Sequence, residues 1–198
     1  MRSGRTSDAA LPALALMACG HMPVATMVRL SSFDFATFDP SALRAAVGVP
    51  DVLKPRPEGA KLVVTLKLGD APPQTETFLL KRLTAPSDLA PLAPFARADA
   101  TIYAFALDPV DVARIRDLQA EGRRSRADHP GRSSLTIRIE PNACRLGPLP
   151  EGPIPFTAYL RPNEETGYLV FLRDVDLRET VTAAGKTLDA ETPLCPAE

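Results

Sequence analysis

Residues 61–68 read KLVVTLKL, and the alternation of apolar and polar side chains in this stretch decides the class of fold. Leu62, Val64 and Leu66 recur at every second position, whereas Thr65 falls between them. Successive side chains of a β-strand point to opposite faces of the sheet, so this pattern predicts a strand with one buried face.

A second run of strand-forming residues, TETFLLKRL at 75–83, follows after a short connection rich in glycine and proline. Short connections favour antiparallel neighbours, so the two runs predict a β-hairpin. Further along, TIYAFAL at 101–107 is a continuous apolar run. Such a run predicts a central strand that is buried on both faces.

The rest of the chain adds short strands and one helix. Strands are predicted at residues 24–30, 43–49, 135–139, 156–160 and 168–175. Asp108 and Pro109 begin the predicted helix, which ends near Gly122; residues 123–132 are predicted as a polar loop and the C-terminal tail as irregular. About seven or eight short strands predict a mainly β (α+β) fold, either an antiparallel β-sandwich or an open barrel with one helix.

Composition argues against several classes of partner and chemistry. The 198 residues carry a formal net charge of -1, so no overall basic field points to nucleic acid. The two histidines, His21 and His129, are too few for a site of several histidines. No phosphate-binding glycine loop and no zinc-type cysteine spacing occurs. We therefore predict no metal and no cofactor.

The first residues have the charge and apolar pattern of a secretory signal. Arg2 and Arg5 precede AALPALALMA at residues 9–18, a run that is too short to span a bilayer. The ending LMAC at residues 16–19 resembles the lipobox of bacterial lipoproteins. In that motif a leucine lies three residues before the cysteine and a small residue lies directly before it.

This resemblance implies a signal peptide of residues 1–18 and a single β-rich domain of residues 19–198. Acyl chains on Cys19 would anchor the domain, because each buried methylene contributes about 0.8 kcal/mol and several chains together hold a protein at a membrane. The residue after the cysteine is Gly20 and not the aspartate that is typical of lipoproteins retained in the inner membrane, so the resemblance implies the outer membrane, facing the periplasm. The alternative is a cytoplasmic protein that starts at an internal methionine: Met17, Met22 or Met27.

The remaining cysteines are consistent with export. If Cys19 carries lipid, Cys144 and Cys195 are left as one pair. An oxidising periplasm favours bonding between two such thiols, so we predict a disulfide. The alternative is a reduced and buried Cys144.

The most distinctive surface feature is a set of arginines on and after the predicted helix. Its members are Arg114, Arg116, Arg123, Arg124, Arg126 and Arg132. Arg123, Arg124 and Arg126 directly follow the predicted helix end, and guanidinium groups suit phosphates and carboxylates. We predict that they contact anionic lipid or an acidic envelope protein. The alternative is a solvated helix face balanced by Asp117 and Glu121.

The acidic residues near the end of the chain include Asp174, Asp176 and Glu179. Oxygen ligands of this kind would suit calcium, but Arg173 and Arg178 are interleaved with them and no ligand-loop glycine is present. A charged strand edge, which keeps an exposed strand from pairing with other chains, is the favoured interpretation.

No catalytic motif stands out. Asp128, His129 and Ser133 have the residue types of a hydrolytic triad, but they lie within one predicted loop, whereas a triad needs members presented from separate elements. We assign no catalytic residue and favour a non-enzymatic lipoprotein that acts by interaction or envelope assembly. The alternatives are a β-domain that binds lipid or another amphiphile, and an unrecognised hydrolase.

Overall fold

The computed structural model describes residues 37–56, 60–128, 133–140 and 142–196. Within these ranges the chain forms a seven-stranded antiparallel sheet and a two-stranded ribbon. The strands are β1 (Arg44–Pro50), β2 (Leu53–Pro55), β3 (Ala60–Leu68), β4 (Gln74–Leu83), β5 (Ala100–Leu107), β6 (Ser133–Glu140), β7 (Ala143–Arg145), β8 (Pro155–Arg161) and β9 (Leu169–Asp176). The sheet order is β6-β3-β4-β5-β1-β8-β9, and β2 pairs with β7.

The predicted mainly β, α+β fold is confirmed. The large sheet curls into a half-barrel, so it follows the open-barrel form of the prediction. The single predicted helix is wrong in number, because the described residues contain four α-helices and a 3₁₀ helix. They are α1 (Pro86–Leu89), the 3₁₀ helix (Ala90–Phe95), α2 (Pro109–Asp128), α3 (Leu177–Ala183) and α4 (Leu188–Glu191).

The predicted hairpin and the central strand are both present. β3 pairs antiparallel with β4, with Leu62 opposite Phe78, and the side chains of both residues are buried. β5 lies between β4 and β1 in the middle of the sheet. Ala104 and Phe105 of β5 are buried although they point to opposite faces, as the continuous apolar run predicted.

Helix α2 covers one face of the sheet. Asp108 Oδ1 accepts a hydrogen bond of 2.9 Å from the Val110 amide, which satisfies a free donor at the start of the helix. Val112, Ile115 and Leu118 follow at helical spacing and are buried in one apolar cluster with residues of β1, β3, β4 and β5. This covered surface is called the helix face below.

The predicted end of this helix near Gly122 is wrong, since α2 continues to Asp128. A β-carbon at Gly122 would lie 3.9 Å from Leu66 Cδ2, so the glycine lies close to β3. One glycine costs only about 1 kcal/mol in a helix, and the arginines that follow are good helix formers, so the helix can continue past Gly122. The effective stop signal in the sequence is Pro130, which disfavours helix at the residue before it.

The opposite surface of the sheet, called the open face below, is covered at one place by the segment of α1 and the 3₁₀ helix. Leu92 from this segment is buried in a cluster with Ala46, Ala104, Tyr159 and Tyr168.

The C-terminal tail, predicted as irregular, instead forms α3 and α4. These helices are too short to show an amphipathic period. The predicted strand at residues 24–30 lies outside the described residues.

Candidate functional site

The two cysteines predicted to bond form a disulfide. Cys144 in β7 and Cys195 in the tail are joined with their Cα atoms 4.9 Å apart, and 51 positions separate them in the sequence. Cys144 is buried, as the alternative held, but it is bonded and not reduced. The predicted lipidation site, Cys19, lies outside the described residues.

Backbone hydrogen bonds reinforce the attachment of the tail. The Arg145 amide donates to the Pro193 carbonyl oxygen, and the Cys195 amide donates to the Arg145 carbonyl oxygen, both at 2.9 Å. Leu188 of α4 is buried in an apolar cluster with Leu53 and Ile154. The tail is therefore a packed part of the domain.

Arg114 and Arg116 of the arginine set make ion pairs within the protein. The Arg114 guanidinium lies 2.7 Å from Asp111 Oδ1 and 2.6 Å from Glu76 Oε2. These hydrogen bonds, first to Asp111 and then to Glu76, raise the pKa of Arg114. Arg116 lies 3.2 Å from Asp39 Oδ1. Both arginines therefore fasten α2 to neighbouring segments.

Arg123, Arg124 and Arg126 lie in the C-terminal part of α2, so their predicted placement in a loop is wrong. The side chains of Arg123 and Arg124 are exposed to solvent. A cation in the last turn of a helix interacts favourably with the helix dipole, so Arg126 suits its position near the end of α2. Arg132 lies outside the described residues.

Two of the three residues of the candidate hydrolytic triad lie in the described part of the chain. Asp128 ends α2 and Ser133 begins β6, while His129 lies outside the described residues. The assignment of no catalytic residue stays a prediction.

The acidic residues near the end of the chain lie on and beyond β9, which is an edge strand. Asp174 has a positive φ of 47° and pairs with Arg97 at 2.7 Å. Asp176 Oδ1 accepts hydrogen bonds of 2.9 Å from the amides of Arg178 and Ile154. Among the described residues no three potential ligands form a metal-binding group. Asp176 is a helix cap that also joins α3 to the segment before β8.

Replacing Asp176 with alanine should therefore reduce the free energy of unfolding by about 1–2 kcal/mol, because α3 loses its N-cap and the Ile154 amide loses its hydrogen-bond acceptor. Asp176→Asn keeps an Oδ1 acceptor and should retain most of that stability. Chemical denaturation of both variants measures the difference. A calcium-dependent rise in the stability of the wild-type protein, lost in Asp176→Asn, would contradict the structural role.

A shallow cleft lies on the open face near one end of the sheet. Its lining residues are Gly48, Pro50, Phe95, Arg97, Asp99, Ala100, Ile102, Pro155, Thr157, Tyr159 and Asp174. Arg97 bridges Asp99 and Asp174, and Thr157 Oγ1 donates to Asp174 Oδ1 at 3.3 Å. Burial raises the pKa of Tyr159. The cleft holds a cavity of about 20 Å³, which is room for one water molecule and too little for an acyl chain.

Sequence reasoning did not find this cleft, because its polar residues come from segments far apart in the chain. Arg97 precedes β5, Thr157 and Tyr159 lie in β8, and Asp174 lies in β9. Their meeting depends on the sheet order, which no local pattern encodes. The sequence had indicated one residue of the cleft, Asp174, as a member of the acidic cluster near the end of the chain.

Helix α2, at 20 residues, is long enough to be compared with the thickness of a bilayer. It contains many charged residues, and no helix in the described ranges is long and apolar enough to cross a membrane.

The chain matches no protein-family model, no curated protein and no solved structure.

Proposed function

We propose that this chain is a lipid-anchored protein of the bacterial cell envelope that works by binding another envelope component and not by catalysis. The Cys144–Cys195 disulfide is the observation that carries the proposal. Disulfides persist in oxidising compartments such as the periplasm and are rare in the cytosol. The lipobox-like ending at Cys19 supplies the anchor, and the outer membrane, facing the periplasm, is the proposed location.

The use of the described acidic side chains supports interaction over catalysis. Asp174 is held by Arg97 and Thr157, and Asp111 accepts a 3.0 Å hydrogen bond from the Leu79 amide in addition to its pair with Arg114. Asp111 and Asp174 therefore join one element of the fold to another, which is a structural use of a carboxylate.

Replacing Cys19 with alanine tests the anchor. The wild-type protein should fractionate with membranes and lack residues 1–18, because cleavage and acylation both need this cysteine. Cys19→Ala should remain unprocessed or appear in the soluble fraction. Gly20→Ala is the matched control, since it changes the neighbouring residue and leaves the thiol. If Cys19→Ala leaves both the intact mass and the membrane fractionation unchanged, the anchor is refuted.

The arginines at the end of α2 are the proposed contact with anionic lipid or an acidic envelope protein. Replacing Arg123, Arg124 and Arg126 together with glutamine should weaken binding to anionic vesicles by up to about 100-fold, at about 1 kcal/mol per cation. The difference should shrink as the salt concentration rises. The protein used is residues 19–198 with Cys19→Ala, so that acyl chains do not mask the contribution of charge. Vesicle co-sedimentation gives the measurement.

The control for charge alone replaces Lys61, Lys67 and Lys186, all exposed and outside α2, with glutamine. This variant should bind anionic vesicles nearly as well as the parent. If the two variants lose vesicle binding equally, or if neither loses any, a specific lipid contact through α2 is rejected. Crosslinking in intact cells from position 124 would then test an acidic protein as the partner.

A further inference from the structure

The seven-stranded sheet is open, so it has two edge strands, and they differ in how they are protected. β9 forms one edge. Its pairing with β8 is interrupted by register shifts, and Asp174 within it has a positive φ of 47°. Arg173 and Asp174 are both exposed, and β9 runs directly into α3. Bulges and charges of this kind keep other strands from pairing with an edge.

β6 forms the other edge and is regular along its whole length. Its eight residues pair one to one with β3, ending with Glu140 opposite Lys61, without a register shift. The strand contains no proline or glycine, and its charged residues are Arg138 and Glu140. Bonds to one neighbour use alternate backbone groups, so the other amides and carbonyls of β6 point away from β3. In the described part of the chain no strand pairs with that side.

The two faces of the sheet differ in polarity at this edge. Leu135, Ile137 and Ile139 are opposite buried residues of β3, so their positions lie on the helix face. Thr136 lies on the open face and is exposed. α2 contacts both β3 and β6. A strand that fits this edge therefore has apolar residues at alternate positions.

The chain before β1 leaves the described residues close to β3 and β6. The Phe38 carbonyl oxygen accepts a hydrogen bond of 2.8 Å from Nε2 of the buried Gln119, and Phe38 packs against the helix-face cluster. About one turn further along α2, a β-carbon at Gly122 would lie 3.9 Å from Leu66 Cδ2 of β3. Leu66 is in turn opposite Leu135 of β6. The preceding residues therefore start about one helical turn from the place where α2 meets this part of the sheet.

Residues 24–30 have the pattern and the reach that this edge requires. Val24, Val28 and Leu30 fall, together with Thr26, at every second position. From Leu30 to Phe38 is eight positions, and an extended chain of that length spans up to about 26 Å. Neighbouring strands lie about 4.8 Å apart, so the far side of β6 is about 10 Å from β3. The segment can therefore reach β6 while Phe38 keeps its contact with α2.

We propose that residues 24–30 form a strand that pairs with β6 and covers the free edge of the sheet. The pairing satisfies the outward backbone groups of β6 and keeps a long regular edge from pairing with other chains. It does not depend on lipidation. One consequence rests on the proposed function: the five positions from Cys19 to Val24 keep an acylated Cys19 within about 17 Å of this edge, so β6 lies nearer to the membrane than β9.

Hydrogen exchange of residues 19–198 carrying Cys19→Ala, measured by mass spectrometry, tests the pairing without lipid. Met27→Pro and Val28→Pro are combined, because consecutive residues of a strand point their amides to opposite sides and one of the two prolines must then interrupt the bonds to β6. In this double variant about half of the β6 amides should exchange faster, since the outward amides alternate along the strand. Peptides of β4 and β5 should exchange as in the parent chain, which shows that the fold is intact.

The matched control combines His21→Pro with Met22→Pro, two prolines placed before the segment. It should leave the exchange of β6 unchanged. If β6 exchanges equally in the parent chain and in the Met27→Pro, Val28→Pro variant, or if the control accelerates it as much, the proposal is overturned. A second copy of the chain is the other occupant to distinguish. Protection of β6 that rises with protein concentration, together with a dimer in size-exclusion chromatography, would assign the edge to that copy and also overturn the proposal.

Discussion

Replacing Cys144 and Cys195 together with serine should lower the melting temperature of the oxidised protein by about 10 °C. The disulfide spans 51 positions, and the chain-entropy model gives such a loop about 4 kcal/mol of stabilisation. In a protein of this size each kcal/mol shifts the melting temperature by about 2–4 °C. Differential scanning calorimetry measures the shift.

A reducing agent should produce the same change in the wild-type protein, whereas Cys19→Ala should not, since it leaves the bond intact. The tail should also become sensitive to protease in the double variant, because the strand-like contact of Cys195 with Arg145 is no longer tethered. If the double variant has the melting temperature of the wild-type protein, the disulfide does not stabilise the fold, and the packing of Leu188 and the backbone hydrogen bonds hold the tail without it.

Replacing Phe78 with alanine should cost about 3–5 kcal/mol of stability, the range for deleting a buried aromatic side chain. Phe78 is fully buried at 0% exposure in the cluster under α2. The Arg114 guanidinium carbon also lies 4.8 Å from the centroid of its ring, and this contact would be lost with the ring. Urea denaturation of the purified variant provides the measurement.

Leu79→Ala is the matched control for this substitution. Leu79 is the next residue of β4, points to the open face and is 49% exposed, so its loss should cost less than about 1 kcal/mol. The pair tests the register of the sheet, because a slip by one residue would exchange the two faces. Similar losses in the two variants would contradict the pairing of Leu62 with Phe78.

The parts of the fold that could be predicted are those whose signal is local. The alternation in residues 61–68 and the short connection after it are sufficient for the hairpin of β3 and β4. The apolar run at 101–107 has the length and composition of a strand buried on both faces. The start of α2 follows from Asp108 as a cap and Pro109 at the first helical position.

The order of the strands could not be predicted, since it depends on contacts between distant segments. β1 lies between β5 and β8, and nothing near residues 44–50 specifies either neighbour. The pairing of Arg44 in β1 with Arg161 in β8 follows only from that order. The β2–β7 ribbon was missed because three residues are too few to show a period.

For the functional residues, the prediction succeeded where chemistry limited the choices. Cys144 and Cys195 were found by counting thiols after assigning Cys19 to lipid, an argument that needs no geometry. The element of Arg123, Arg124 and Arg126 was wrong because Gly122 was taken as the helix stop, and their contact with an anionic partner stays a prediction.

The central claim, export with a lipid on Cys19, is tested most directly by the intact mass of the native protein from membranes, alkylated without prior reduction. We expect a chain that lacks residues 1–18, carries the added mass of acyl chains on Cys19, and has no alkyl group on Cys144 or Cys195. A chain that begins at Met1 or an internal methionine, with both of those thiols alkylated, would contradict the account.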